Sequence, residues 1–392
     1  MSTKQQSRII VTGGGTAGHV MPVISIAEEI NKLQPNVSIR FIGQRTDMRS
    51  MAIVSSCKAI EKSYAISAGK LRRFHGRGLV WYIMHPSIVF KNFIDIFRLI
   101  LGIVQSIVIL LRWRPDVVFV KGGFVGLPVG LAAAILKIKI ITHDSDAIPG
   151  LTNRILSRFA ATSAVALPEK YYSQYYKREK VIQTGVPINS KFFSNNSVNN
   201  LKHEMNIDNN SKVLSVIGGS LGAVRMNNAV MKLVPSLLDS YSNLKIIWST
   251  GENQYKEIST SIEKLGLKSR VHVKPFFGDL DEVFGVSDLV ISRAGATTIA
   301  ELAASKKACI FIPNPVLTGG HQSKNADILT KNNAAVVITE NDLDHGIGKL
   351  KSSVEVLLKD KAKRTQLGDN LSKFADSKAT SKLAAVILGE KI

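Results

Sequence analysis

The chain has 392 residues, of which 45% are apolar and 21% charged, so it is long enough for two ordinary domains and too apolar to be disordered. It carries 51 Lys and Arg against 30 Asp and Glu, and a formal net charge of +21 predicts an anionic partner: nucleic acid, anionic lipid or a phosphorylated substrate. Its two cysteines, Cys57 and Cys309, exclude a disulfide framework and a four-thiolate zinc site and fit a reducing compartment.

The first predicted element is a strand that runs into a glycine-rich turn. Arg8–Thr12 is a short apolar run, Gly13–His19 contains four glycines, and Val23–Ile30 has helical periodicity. The segment before the strand is polar and has no signal-peptide core. We therefore expect a cytoplasmic protein whose membrane contacts, if it makes any, come from that side.

The next segment, Lys62 to Arg114, is both basic and apolar. It holds nine basic residues against one acid, and residues 1–190 carry 25 basic and 10 acidic side chains, so the anionic partner is expected to meet the first half. The most apolar stretch, Leu99–Leu111, has 13 residues, whereas a bilayer crossing needs about 20. We predict that it does not cross. It either lies along a membrane surface between flanking cations or packs on a sheet as a core helix.

Three more strands with turns at their ends follow, and the second half repeats the order of the first. These strand and turn segments are Val117–Val120 before Gly122-Gly123, Val213–Ile217 before Gly218–Ala223, and Leu289–Ser292 before a helix at Ile299–Ala304. The alternation predicts an α/β protein with two doubly wound parallel-sheet domains, joined by a polar connector at Asn189–Lys212. Ligands of such sheets bind at the carboxyl ends of strands, so we expect a site in a cleft between the domains.

The glycine turns and one histidine supply the candidate chemistry. Glycine lets main-chain N–H groups and a helix N-terminus approach a phosphate, although a single such turn can equally be a tight strand–helix connection. No turn has P-loop spacing or a clean dinucleotide fingerprint. His19 can take a proton from a sugar hydroxyl near neutral pH, or it can be a capping or core histidine. His143 and Asp144 follow another apolar strand, and no spacing resembles a metal site.

Five motifs in chain order resemble the MurG family of peptidoglycan glycosyltransferases. They are Gly14-Gly15-Thr16-Ala17-Gly18-His19, Gly122-Gly123-Phe124-Val125-Gly126, the segment from His143 to Arg154, Gly218-Gly219-Ser220-Leu221-Gly222-Ala223, and Ser292–Glu301. The matches extend from residue 9 to about 335, so the resemblance covers most of the chain.

The resemblance implies a GT-B fold of two Rossmann-like domains. Residues 1–188 would form the acceptor and membrane-side domain, joined by a returning helix within about 372–392, and 189–371 would bind the UDP-sugar. It implies a metal-independent, inverting transfer of N-acetylglucosamine from UDP-GlcNAc to the C4 hydroxyl of lipid I, giving lipid II, without a cofactor. The implied partners are these two substrates and an anionic membrane surface on its cytoplasmic face, with no nucleic acid.

Site residues are carried over from the family's motifs. The implied catalytic residues are His19, as candidate base, and Asp144. Glu301 matches the ribose-binding carboxylate, and Phe277 falls beside the uracil. The implied substrate-binding residues are Thr16, Ala17, Gly18, Gly123, Asp146, Asn189, Ser220, Gly222, Phe277, Ala296, Thr297, Thr298, Ile299, Glu301, Gln322 and Asn325.

The chain departs from the family pattern at several of these motifs. Asp144-Ser145-Asp146 replaces Glu-Gln-Asn, Asn189 replaces an arginine, and Leu221 and His321 each replace a glutamine. Two alternatives therefore stay open. One is a related membrane-surface transferase that uses another sugar or another lipid such as diacylglycerol. The other is an inactive protein that binds a sugar nucleotide or nucleic acid.

Overall fold

The computed structural model describes residues 7–14, 17–70, 84–177, 180–194, 198–208, 210–219, 222–315 and 318–390. The chain divides into two compact units. Unit 1 comprises Met1–Asn189 with Lys378–Ile392, and unit 2 comprises Ser190–Ser377. Each unit contains one all-parallel sheet with helices between successive strands, which confirms the predicted α/β fold class.

Unit 1 is a seven-stranded sheet in the order β3-β2-β1-β4-β5-β6-β7. Its strands and helices before the connector are β1 (Arg8–Thr12), α1 (Ala17–Leu33), β2 (Ser38–Gln44), α2 (Met48–Ser55), β3 (Lys62–Ile66), α3 (Pro86–Trp113), β4 (Val117–Val120), α4 (Gly123–Ile135), β5 (Lys139–Asp144), α5 (Leu151–Leu156), β6 (Thr162–Val165) and β7 (Val181–Gln183). The strand order reverses between β1 and β4, which makes their carboxyl ends the switch point where such sheets bind ligands. All four β4 residues are buried, as expected for a strand covered on both faces.

Unit 2 is a six-stranded sheet in the order β10-β9-β8-β11-β12-β13. Its elements are α6 (Val198–Glu204), β8 (Lys212–Ile217), α7 (Val224–Ser240), β9 (Leu244–Ser249), α8 (Glu252–Lys264), β10 (Val271–Lys274), α9 (Leu280–Val286), β11 (Leu289–Ser292), α10 (Ala296–Ala304), β12 (Ala308–Phe311), α11 (His321–Lys331), β13 (Val336–Val337), α12 (Glu340–Asp344), α13 (Gly348–Lys359) and α14 (Lys361–Ser372). Two apolar clusters form its core, one containing Trp248 and the other Phe311. This sheet also changes direction, between β8 and β11.

The last helix, α15 (Ala379–Leu388), belongs to unit 1. It lies within the segment of about 372–392 where a returning helix was expected, and α14 ends at Ser372 before it. Leu383 and Ile387 are buried in the same cluster as Ile26 and Ile30 of α1. The Thr380 hydroxyl also donates a hydrogen bond of 3.0 Å to the Ile188 carbonyl.

Helix α3 corrects the prediction made from its most apolar stretch. It has 28 residues and is long and apolar enough to cross a bilayer by length and composition. The prediction that the segment is too short to cross is therefore wrong as an argument from length. Leu99–Leu111 is only the most apolar part of a helix that begins with Pro86 at its first position and continues until Arg114 adopts a left-handed conformation.

Candidate active site

The switch point of unit 1 brings two glycine turns into main-chain contact. Gly123 has φ +78°, and a Cβ there would overlap the Gly14 carbonyl oxygen. This close approach and the positive φ explain why the second turn needs glycine at position 123. The first turn of α1 follows Gly14 and contains three predicted site residues, Ala17, Gly18 and His19, whereas Thr16 lies outside the described residues.

Asp144, the last residue of β5, is 5% exposed and its carboxylate is occupied by the chain itself. The Tyr176 hydroxyl donates to Oδ2 at 2.6 Å, and the Gly150 N–H donates to Oδ1 at 3.0 Å. Burial raises the pKa of Asp144, while these hydrogen bonds and Lys121 act in the opposite direction. These are the contacts of a side chain that holds the loop between β5 and α5.

His143 is fully buried beside Asp144 and faces the end of β7. Burial lowers its pKa well below the usual value, so the imidazole is neutral. Its Nε2 lies 2.9 Å from the Gly185 carbonyl and donates to it, while Asn153 donates to the His143 carbonyl at 2.9 Å. His143 thus fixes the segment that leads to Asn189, a half-buried residue at the boundary of unit 1.

Sequence reasoning missed Lys121, which lies between β4 and Gly122. Its ammonium donates to the Ser145 hydroxyl at 3.0 Å, and the side chain is almost completely buried. The neighbouring Asp146 is half-buried, and its carbonyl accepts a hydrogen bond of 3.0 Å from Tyr172. The sequence feature that could have indicated this residue is a lysine directly after an entirely apolar strand.

In unit 2, the glycine turn after β8 is pressed against the end of β9. Gly222 has φ +76°, and a Cβ there would lie 2.8 Å from the Thr250 carbonyl oxygen. The buried Asn227 side chain donates to the same carbonyl at 2.8 Å and to Gln254 at 2.8 Å. Ser220 lies outside the described residues, so the structure places only Gly222 of the two predicted residues.

The turn after β11 places a helix N-terminus and a carboxyl group at the same edge. The predicted residues Ala296, Thr297, Thr298 and Ile299 form the first turn of α10, whose N-cap is Gly295. Glu301 follows in the helix and is half-buried. Burial, reinforced by Asp281, raises its pKa to about 8. At neutral pH this carboxyl group is therefore largely protonated and can both donate and accept hydrogen bonds.

The remaining residues predicted to bind the sugar nucleotide also make contacts within the protein. Gln322 accepts a hydrogen bond of 2.9 Å from the Asn314 N–H, and Asn325 donates to the Ala294 carbonyl at 3.1 Å. These bonds fix the loops that precede α11 and α10. The Phe277 side chain is buried in the apolar cluster that contains Phe311, so contact with a base would come from its main chain.

An ion network around the buried Glu340, at the same edge, was also missed. Arg293 contacts Glu340 at 2.7 Å and donates to the Ile312 carbonyl at 3.0 Å, while Arg225 contacts Glu340 at 3.1 Å. The network ties the ends of β11 and β12 to α12 and to the first turn of α7. Its partners are far apart in sequence, so no local spacing indicates it. Within the described ranges, no three His, Cys, Asp or Glu side chains are grouped so that they could hold a metal ion.

Comparison with known proteins connects both units to one family. The profile of the glycosyltransferase family 28 N-terminal domain matches residues 9–165, and that of its C-terminal domain matches 213–383. Two similar relatives are each called UDP-N-acetylglucosamine–N-acetylmuramyl-(pentapeptide) pyrophosphoryl-undecaprenol N-acetylglucosamine transferase. The protein from Caldicellulosiruptor saccharolyticus is 35% identical, with 96% of each chain covered. That from Listeria welshimeri is 33% identical, covering 97% of this chain and 99% of its own.

Solved structures agree on the fold. MurG from Acinetobacter baumannii has a TM-score of 0.70 at 21% identity, over 98% of this chain and 99% of its own. UDP-GlcNAc 2-epimerase from Neisseria meningitidis, bound to UDP-GlcNAc, has a TM-score of 0.66 at 14% identity, over 98% and 100%. The family matches and the near full-length relatives together confirm the resemblance found in the motifs. The chain therefore belongs to glycosyltransferase family 28, among the MurG-type N-acetylglucosamine transferases.

Proposed function

We propose that this chain transfers N-acetylglucosamine from UDP-GlcNAc to the C4 hydroxyl of lipid I, with inversion at the anomeric carbon and without a metal ion. The observation that carries the proposal is the similarity, over almost the whole chain, to relatives named for this transfer. The structure supports it with glycine turns and helix N-termini at the carboxyl edge of each sheet, where a phosphorylated ligand is favoured.

Unit 2 takes the sugar nucleotide in this proposal. The turn at Gly222 and the first turns of α7 and α10 offer main-chain N–H groups to the diphosphate. Because these groups are already oriented, they stabilise its negative charge without a cation. Glu301 accepts hydrogen bonds from the ribose hydroxyls. These hydrogen bonds favour the ionised form of its carboxyl group. Gln322 and Asn325 shape the loops around the sugar.

Unit 1 takes the lipid-linked acceptor. The C4 oxygen forms a bond to the anomeric carbon, the bond from that carbon to the diphosphate breaks, and UDP leaves with the electron pair. His19, in the first turn of α1, accepts the hydroxyl proton as the general base. Asp144 acts as a positioning residue through the loop that it holds.

The proposed reaction is tested by incubating the purified protein with lipid I and, separately, UDP-GlcNAc, UDP-glucose or UDP-galactose. We expect UDP release and lipid II formation with UDP-GlcNAc alone. A parallel incubation replaces lipid I with diacylglycerol. Transfer to diacylglycerol, or a preference for another sugar, would assign the chain to a related membrane-surface enzyme, and UDP binding without any transfer would leave a binding protein.

We also propose that the protein is peripheral to the cytoplasmic face of the membrane and binds through α3. The buried residues of this helix include the polar Asp95 and Ser106 beside Gly102, Leu110 and Trp113. The buried face is anchored within unit 1, where Gln105 accepts a hydrogen bond of 2.7 Å from the Ser67 N–H. The opposite face exposes the apolar side chains Val89, Phe90, Phe93, Ile96, Phe97, Ile100, Leu101, Val104, Val108 and Leu111.

Exposed cations accompany this apolar face. Lys91, Arg98, Arg112 and Arg114 are all exposed on or beside α3. An apolar face with cations at its margins suits the headgroup region of an anionic bilayer, where the helix lies in the membrane plane. Because its other face packs on α4 and β3, α3 serves here as a docking surface, and no crossing is proposed.

The docking surface predicts the behaviour of a double variant. Phe93→Asp with Phe97→Asp, which replaces two contacting rings, should lower binding to anionic vesicles by at least about tenfold, because two apolar side chains no longer insert. Leu265→Asp changes an equally exposed side chain in unit 2 and should bind as the unchanged protein does. Cosedimentation measures both. Equal loss in the two variants, or equal binding to neutral and anionic vesicles, would contradict this docking.

A further inference from the structure

A buried carboxylate in α12 joins the start of one helix to the end of a distant strand. Glu340 is 6% exposed, and each of its carboxylate oxygens faces a different arginine. Oε1 lies 2.7 Å from the Arg293 guanidinium, and Oε2 lies 3.1 Å from that of Arg225. Arg225 is in the first turn of α7, and Arg293 directly follows β11. Glu340 therefore bridges the two strand ends after which α7 and α10 begin.

Each arginine has a second contact that fixes its guanidinium. Arg225 donates to both carboxylate oxygens of Asp344, at 2.9 and 3.0 Å, and Arg293 donates at 3.0 Å to a main-chain carbonyl just beyond β12. The start of α12 is fixed as well, because Thr339 and Asp342 form a reciprocal capping box there. The bridge is thus built from anchored groups at both ends.

Burial makes the carboxylate and the arginines depend on one another. A carboxylate removed from water loses its hydration, and only nearby cations and hydrogen bonds restore the loss. The Arg293 side chain is itself only 12% exposed, so it has the same need for Glu340. Removal of one partner therefore disturbs the whole network.

The separation of the two helix starts matters because one diphosphate has to meet both. The strands β8 and β11 are neighbours in the sheet, and their last residues, Ile217 and Ser292, are paired. Helices α7 and α10 therefore begin beyond the same end of adjacent strands. Main-chain N–H groups stabilise an anion best when they are oriented before it binds, so a bridge that fixes α7 relative to β11 serves that purpose.

We propose that Glu340 is a positioning residue for the sugar nucleotide: through Arg225 and Arg293 it holds the start of α7 at a fixed distance from the end of β11, so that both turns reach one diphosphate. The base and the ribose are assigned to Phe277 and Glu301, on elements other than α7. The phosphates are therefore the part of the ligand that senses the start of α7. This inference rests on the proposed assignment of the sugar nucleotide to unit 2.

The test compares the binding of UDP with that of uridine, which lacks both phosphates. Arg225→Met separates α7 from the bridge and leaves the contact between Glu340 and Arg293 in place. It should weaken UDP binding about tenfold by calorimetry and leave uridine binding within about twofold by NMR titration. The KM for UDP-GlcNAc should rise about tenfold as well, while the KM for lipid I stays within about twofold. A residue that only stabilised the fold would affect both ligands alike.

A second substitution distinguishes positioning from direct attraction of the phosphates by Arg225. In a Glu340→Gln background, Arg225→Met should cause no further loss of UDP binding, because the bridge is already broken. Glu340→Asp covers the case in which Glu340→Gln does not fold. It keeps the charge but shortens the bridge, so it should also weaken the binding of UDP and not that of uridine.

Glu263→Gln is the matched control, since Glu263 pairs with Lys268 on the exposed surface of the same unit. It should bind both ligands as the unchanged protein does. Equal weakening of UDP and uridine by Arg225→Met, no weakening of UDP, or a further loss in the Glu340→Gln background would overturn the inference. Unchanged UDP binding in Glu340→Asp would also overturn it. Failure of the unchanged protein to bind UDP would instead overturn the proposed function.

Discussion

His19→Ala should reduce turnover by about two to four orders of magnitude, the usual contribution of a general base. His19 is the third residue of α1, whose N-terminus follows the glycine turn at the switch point of unit 1. Without it, the acceptor hydroxyl must lose its proton to water. UDP binding should persist because the proposed diphosphate contacts lie in unit 2.

Steady-state rates and calorimetric UDP titration separate these effects. His345→Ala is the matched control, since His345 is exposed, follows α12 and contacts the Asn341 carbonyl at 2.8 Å. It should leave turnover within about twofold. Unchanged turnover in His19→Ala would remove His19 from the mechanism, and loss of UDP binding would show that the variant acts through folding.

Gly123→Ala should destabilise unit 1 and abolish turnover together. A left-handed conformation costs an L-residue about 1–2 kcal/mol. The added Cβ also overlaps the Gly14 carbonyl oxygen, which is main chain and cannot rotate away. The two turns must then separate, and the start of α1 moves with them. We expect a clearly lower Tm by circular dichroism and no measurable transfer.

Two other glycines separate backbone strain from this overlap. Gly150 precedes α5 in the same unit, has φ −63° and leaves a Cβ with nothing within 4 Å, so Gly150→Ala should leave the Tm unchanged. Gly219 has φ +76° and equally open surroundings, so Gly219→Ala should show the strain alone. If Gly123→Ala lowered the Tm no more than Gly219→Ala does, the contact between the turns would not matter.

The strands at the sheet centres were predictable, and the reason is physical. Arg8–Thr12, Val117–Val120 and Leu289–Ser292 have the predicted bounds because central strands of a parallel sheet are buried on both faces and read as short apolar runs. The extent of α3 was not predictable in this way. Its apolar residues line the exposed face, and periodicity alone does not tell which face the protein covers.

The same distinction applies to the candidate site, where local turns could be predicted from the sequence and contacts between distant residues could not. Glycine turns depend on neighbouring residues, so Gly123 and Gly222 lie in the predicted turns, whereas α10 begins at Ala296 and thus earlier than the predicted Ile299. The contacts of Lys121 with Ser145 and of Arg293 with Glu340 join residues from different strands. Pairings of that kind depend on how strands are ordered in the sheet, which a single sequence does not encode locally.

The attachment of α15 to α1 imposes an order on biosynthesis. Domains usually fold as they emerge from the ribosome, amino-terminal part first. Here the contacts of α1 with Leu383 and Ile387 can form only after every residue of unit 2 has been translated. Unit 1, whose synthesis starts first, is thus completed last.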